Sequence, residues 1–262
     1  MEQGDEVKTI LYFISMNVRR QTVYGKNFIG EFILSLCYYF IQFIFIDKIS
    51  CFSGNIGNYS RDEIHLIFVV FLLLGIFLNI FTTSIETFFE KVAEGKIEGY
   101  LTKPVSVWLL ILFGWCKPLY LIKLFIVCVS AYSFVLLPDM LEIKLKWFSF
   151  IVAIGCVFIV NMCFFMMFNF ITFITSRKMP VAYFHAMLYQ LSFIPIAIYP
   201  LNLVKWLLFF LPLAFSASLP VSFLLGKNEW NIGYLLLSTC LSIAMTFISY
   251  KKAMRKFNGL GG

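Results

Sequence analysis

The chain has 262 residues, 61% of them hydrophobic and only 13% charged, with a mean hydropathy of +0.87. A soluble domain has about 45–50% apolar and about 25% charged residues, so this chain lacks the polar surface to coat a globule and reads as a polytopic membrane protein. Lys and Arg total 21 against 14 Asp and Glu, a net charge of +7, which in such a chain points to orientation signals rather than nucleic-acid binding.

Residues 1–27 are polar, with Glu2, Asp5, Glu6, Lys8, Arg19, Arg20 and Lys26, and have no signal-peptide pattern, so the first spanning helix is expected to be its own insertion signal. Apolar runs bounded by charge or Pro then predict six spans, at residues 28–46, 64–85, 118–137, 147–174, 182–198 and 232–249. The runs are continuous, as in residues 67–74 and 148–158, and lack the alternation of a transmembrane barrel, so the predicted class is all-α. Between the second and third spans, residues 105–116 are too short to cross and are expected at the interface or dipping into the bilayer. Residues 201–226 are long enough to cross, but Pro212 and Pro220 interrupt them and Pro195 and Pro200 precede them, which favours a re-entrant pair of short helices.

Orientation follows from the basic residues. With both termini inside, fourteen Lys and Arg fall on inner segments and six on outer ones, with Lys123 left inside a helix. Counting residues 201–226 as a seventh crossing would place the basic tail (Lys251, Lys252, Arg255, Lys256) outside. No internal repeat is visible, which disfavours an inverted-repeat carrier. The seven cysteines are scattered, mostly singly in apolar runs (Cys37, Cys128, Cys156, Cys163, Cys240), and read as small hydrophobes. With His65 and His185 the only histidines, a His-based metal cluster is excluded.

Charges within the apolar spans are few. Glu31 and Lys123 lie near helix ends and read as interfacial anchors, Lys123 by snorkelling, and His185 is ambiguous. Asn79, Asn161, Asn169, Gln42 and Gln190 read as interhelical hydrogen-bonding groups, with a substrate-lining role as the alternative. No span has a midplane carboxylate for ion coupling. Neither Gly25-Lys26-Asn27 nor Gly226-Lys227-Asn228 forms a phosphate-binding loop, and hydrolase and zinc-protease motifs are absent. The chain is therefore expected to be non-catalytic; if it pumps, its engine is another chain.

The connection at residues 86–104 is the most informative segment. It opens with helix-compatible residues, has Gly95 and Gly99 as breaks, and stops at Lys103-Pro104, which predicts a helix-turn element protruding from the membrane. Composition alone would make it a solvated loop. The run Gly95-Lys-Ile-Glu-Gly-Tyr-Leu-Thr-Lys-Pro104 resembles a signature of the six-helix permeases of type-2 ABC exporters, in the ABC-2 group. Glu98 stands where Asp is usual, and Ala93-Glu94 where a basic residue is typical. Tyr199-Pro200, Trp206-Leu207, Leu211-Pro212, Leu219-Pro220 and Leu225-Gly226 resemble that group's Pro-punctuated outer segment, and the basic tail resembles its ending.

The resemblance implies one transmembrane permease domain over residues 1–262 in a bacterial cytoplasmic membrane. Residues 1–27 would form an amphipathic elbow helix using Arg19, Arg20 and Lys26 at lipid headgroups. Glu90, Glu94, Gly95, Lys96, Glu98, Gly99, Leu101, Lys103 and Pro104 would couple to an ATPase, and the re-entrant residues 199–226, with Pro200, Pro212 and Pro220, would gate the outer side. The implied partners are two ATP-binding-cassette subunits holding ATP and Mg, a second permease (identical or related) and membrane lipids. The 32 phenylalanines suit an apolar or amphipathic cargo (a peptide, an antibiotic or a lipid-like molecule), with lipid-facing Phe as the alternative. An ATPase-independent channel or carrier, or a membrane immunity or sensory subunit, is the alternative.

Overall fold

In the computed structural model the described residues are 3–23, 25–53, 58–102, 105–135, 146–175, 177, 179–200, 202, 204, 212–227 and 231–256. They form α-helices and short 3-10 turns, with no strand among the described residues. In chain order the helices are α1 (Gln3–Val23), α2 (Gly25–Ser53), α3 (Arg61–Ala93), α4 (Glu98–Leu101), α5 (Val107–Phe113), α6 (Tyr120–Val135), α7 (Trp147–Asn169), α8 (Ile171–Thr175), α9 (Val181–Gln190), α10 (Ser218–Leu225) and α11 (Ile232–Lys256).

Among the described residues, four helical stretches are long and apolar enough to cross a membrane: Phe28–Phe52, Arg61–Ala93, Trp147–Phe173 and Ile232–Arg255. They coincide with the first, second, fourth and sixth spans expected from sequence. The third is a shorter apolar helix, α6. The fifth differs from the expected single helix, because α9 ends at Gln190 and gives way to 3-10 turns at Leu191–Phe193 and Ile196–Ile198. Pro195 is the cause: it lacks an N–H and forces the preceding Ile194 into extended backbone (ψ 128°), which no α-helix can include.

The central element is α3, one continuous helix of 33 residues and so about 50 Å long. Ser60 and Glu63 start it with a reciprocal capping box: Ser60 Oγ accepts from Glu63 N–H, and Glu63 Oε2 accepts from Ser60 N–H at 2.7 Å. Asp62 and Glu63 also face the positive end of the helix dipole. Apolarity stops at Ile85, but the helix does not, since Glu86 to Ala93 are all able to extend it. At its other end Gly95 takes φ 71°, Gly95 N–H donates to Val92 O and Lys96 N–H to Lys91 O, a Schellman termination.

Around α3 pack α5, α6 and α7, and α7 in turn packs against α10 and α11. Between apolar helices in lipid the association comes from close packing and hydrogen bonds rather than from the hydrophobic effect. Rings supply much of that contact here: Phe89 lies 5.4 Å from Phe170 and 5.5 Å from Phe173, joining the last turns of α3 to the α7–α8 corner. By contrast α2 is peripheral, with only 6% of its span buried against 56% for α3.

Two short helices pack within the bundle, α5 against α3 and α10 against α7. The seven residues of α5 span about 10 Å, too short to cross, and the turn after it is pinned to α3 by Trp115 N–H donating to Ser84 Oγ at 2.9 Å and Lys117 N–H to Ile80 O at 3.0 Å. The eight residues of α10 span about 12 Å and are buried from Ser218 to Leu224. Pro220 fits in its first turn, where the missing N–H costs no helical bond. Gly226, at φ 67°, ends it.

Candidate functional site

The residues expected to couple to a partner cluster beyond the Ala93 end of α3. Glu90 is a half-buried part of α3 itself; Glu94, Lys96, Glu98 and Gly99 are exposed and Gly95 is half-buried. Gly99, expected to break the chain, instead sits inside the single turn α4, where its backbone is helical; only Gly95 has a positive φ among these two. Leu101 ends α4, with its side chain outside the described residues, as are Lys103 and Pro104. The Glu94 carboxylate accepts from Lys96 Nζ at 2.9 Å and holds that ammonium above its ordinary pKa, though so exposed a pair adds little stability.

Sequence reasoning missed what mounts this turn. Ile97 is buried, and the Lys91 ammonium sits 5.7 Å from the Tyr100 ring centroid and 5.4 Å from that of Trp115, with the two rings 5.3 Å apart. One cation thus ties α3, α4 and the α5–α6 turn together. The polar outer face, Glu94, Lys96, Glu98 and Gly99, is held rigidly to the end of a 33-residue helix.

Further along α3 a cavity of about 140 Å³ opens between α2, α3 and α9, lined among others by Tyr38, Asn79, Thr82, His185 and Gln190. A second, apolar groove of about 530 Å³ lies between α2, α3 and α6. Gln190 Nε2 and Gln42 Nε2 both donate to the Tyr38 hydroxyl, at 3.2 and 2.8 Å, so Gln190 does link two helices as its type suggested. Asn79 does not: among the described residues its side chain engages Thr82 Oγ1 at 3.5 Å, on its own helix. Asn169 likewise donates to Phe165 O within α7.

Asn161 is the junction of a buried polar chain. Its Nδ2 donates to Ser216 Oγ at 2.8 Å, Ser216 Oγ donates to Leu213 O at 2.7 Å, and its Oδ1 lies 3.2 Å from His185 Nε2. Helix α9, helix α7 and the 3-10 turn Pro212–Phe215 are thereby joined. The ring of Tyr199 meets Phe215 at 5.4 Å, closing the segment on itself. Of the three prolines expected to gate, Pro200 is exposed and its carbonyl accepts from Val204 N–H. Pro212 opens the 3-10 turn, its side chain outside the described residues, and Pro220 is buried in α10. Pro212 begins a 3-10 turn and Pro220 lies in the first turn of α10.

The far end of this segment is clamped to α3. Lys227 Nζ donates to Glu63 Oε2 at 2.6 Å and to Asn58 O at 2.8 Å, over the Tyr59 ring. Burial, with the Glu63 carboxylate nearby, pushes the Tyr59 phenol up to about 12, so the ring beneath Lys227 stays neutral across physiological pH. Lys227→Ala is expected to cost about 1–3 kcal/mol, because it leaves the buried Glu63 carboxylate without its charged partner; a thermal melt of the purified chain checks this.

At the opposite end Arg19, Arg20 and Lys26 are exposed. Arg19 and Arg20 lie on α1 among exposed Leu11, Tyr12, Met16 and Val23, and Lys26 is in the first turn of α2, while buried Asn17 donates to Phe113 O at 2.9 Å and so holds α1 against α5. Glu31 accepts from Lys117 Nζ at 3.1 Å and from the Tyr120 hydroxyl. Lys123 is a correction to the snorkelling expectation: it is buried, 4% exposed, donating to Ser35 Oγ at 3.0 Å with its ammonium 4.2 Å from the Tyr120 ring, and it ties α6 to α2. No cluster able to hold a metal ion occurs among the described residues.

Residues 34–261 match the family described as ABC-2 family transporter protein. No curated protein and no solved structure matches the chain.

Proposed function

The chain belongs to the ABC-2 transporter family, and we propose that it is the membrane-spanning permease subunit of an ATP-driven exporter in a bacterial cytoplasmic membrane. ATP and Mg bind to two partner ATP-binding-cassette subunits, and a second permease, identical or related, completes the pore. The observation that carries this reading is the continuity of α3, which bears the polar coupling turn at one end and lines the α2/α3/α9 cavity with Asn79 and Thr82. A push on Glu94, Lys96 and Glu98 passes through the Lys91 cage into α3 without an intervening hinge.

In this reading the chain crosses six times with both termini cytoplasmic. The third crossing is α6 and the fifth is α9 with its 3-10 turns, while residues 199–226 re-enter from outside and gate that face. Helix α1 lies along the inner surface as an elbow, with Arg19, Arg20 and Lys26 at anionic headgroups. The cargo is apolar or amphipathic. Affinity purification of the tagged chain from native membranes in mild detergent is expected to recover a soluble protein with a phosphate-binding loop in stoichiometric amount. Recovery of the chain alone, with its transport intact in nucleotide-free vesicles, would make it a channel or carrier.

A further inference from the structure

Asn79 and Gln190 are exposed and Thr82 and His185 are buried at the edge of one cavity, between helices whose other faces are apolar. Asn79 lies inside the expected span of α3, six residues from Ile85 and so about 9 Å from its inner end. Polar side chains at that depth are tolerated where they meet one another or line a water-filled space. At about 140 Å³ the cavity is near the size of an apolar cavity that holds benzene, but its polar lining makes it wet rather than dry.

Among the described residues, part of its hydrogen-bonding capacity is unspent. The Tyr38 hydroxyl accepts from Gln42 and Gln190, which leaves its own hydrogen to donate. Asn161 donates through Nδ2 to Val157 O and Ser216 Oγ, so its Oδ1 takes the hydrogen of His185 Nε2, and that tautomer leaves Nδ1 an acceptor. Asn79 is engaged by Thr82 at 3.5 Å, the limit of a useful bond. No Asp, Glu, Lys or Arg lines the cavity among the described residues, and Phe71, Leu72 and Leu78 form its apolar wall. Donors and acceptors without charge beside an apolar wall select an uncharged polar group on an apolar stem, and would leave an ionised one desolvated and unpaired.

We infer that the α2/α3/α9 cavity is a hydrated binding site for an uncharged amide or hydroxyl group borne on an apolar chain of the transported molecule. This rests on the permease reading for its purpose, but its test needs neither nucleotide nor an ATPase partner, so the two can fail separately.

The test uses the full chain in native membranes with N-ethylmaleimide as probe and mass spectrometry to resolve sites. A thiol reacts as its thiolate, which water permits and hydrocarbon suppresses. Cysteines introduced by Asn79→Cys and, leaving the polar lining intact, by Ala186→Cys are expected to react about tenfold or more faster than native Cys128, which is exposed on α6 away from the cavity. N-acetyl-leucinamide, an uncharged amide on an apolar stem, is expected to slow labelling of the Ala186→Cys chain, and zwitterionic leucine is not. Labelling of both introduced cysteines no faster than Cys128 would overturn the hydrated cavity. Equal protection by the two compounds, or none by the amide, would overturn the binding of an uncharged group.

Discussion

Gly95→Val is expected to lower ATP-driven transport about 5- to 30-fold while the chain still inserts and accumulates in the membrane. Gly95 holds φ 71°, where a β-branched residue is strained by about 1–2 kcal/mol, and a local equilibrium shifted by that amount changes its populations by about 5- to 30-fold. The strain falls on the two bonds that end α3, from Gly95 N–H to Val92 O and Lys96 N–H to Lys91 O, so the turn carrying Lys96 and Glu98 loses its fixed direction. Gly99→Ala is the control: a Cβ there meets nothing within 4 Å, and the residue is helical. Transport in whole cells, normalised to the membrane level of each variant, reads the difference. Equal transport by wild type and Gly95→Val would mean that the orientation of this turn does not matter.

Asn161→Leu is expected to be the most destabilising single change in the membrane core. It removes the partner of His185 Nε2 and the donor to Ser216 Oγ at once, both buried. Each buried group left unpaired costs about 1–3 kcal/mol in proteins generally, and interhelical hydrogen bonds measured in membranes average about 0.6 and reach about 1.7 kcal/mol. A loss near 2 kcal/mol should lower the melting temperature by about 4–8 °C. Asn169→Leu should do less, because among the described residues Asn169 serves only Phe165 O, on its own helix. A melt of each detergent-purified variant, followed by size-exclusion fluorescence, ranks them, and equal shifts would show that the α7–α9 junction is not held through Asn161.

The long helices were legible because an apolar run of sufficient length has one structural outcome in lipid, and α2, α3, α7 and α11 all fall on such runs. What lay beyond them followed other rules. Apolarity ended at Ile85 but helix formation did not, so α3 extends two turns further than its hydropathy, and that extension mounts the turn at residues 94–99. The fifth span carried its own warning in Pro195, whose effect on Ile194 outweighs the apolar character of residues 182–198. Gly95 and Gly99 look alike in sequence, but only the first meets a helix end that needs positive φ. Lys123 illustrates a different limit: a lysine near a helix end can snorkel or be captured by a neighbour, and Ser35 and Tyr120, which capture it, belong to a pairing of α2 with α6 that no local pattern encodes. The cavity was hidden for the same reason, since Tyr38, Asn79 and His185 come from three helices.

The central claim, that the turn at residues 94–99 docks on an ATP-hydrolysing subunit, is tested most directly by photo-crosslinking in intact cells. A benzoylphenylalanine placed at Glu98, exposed on α4, is compared with one at Lys227, on the loop after α10 at the other end of α3. The account predicts an adduct of the ATP-binding subunit with the Glu98 probe and none with the Lys227 probe. An ATP-binding subunit crosslinked at Lys227, or absent from every Glu98 adduct, would contradict it.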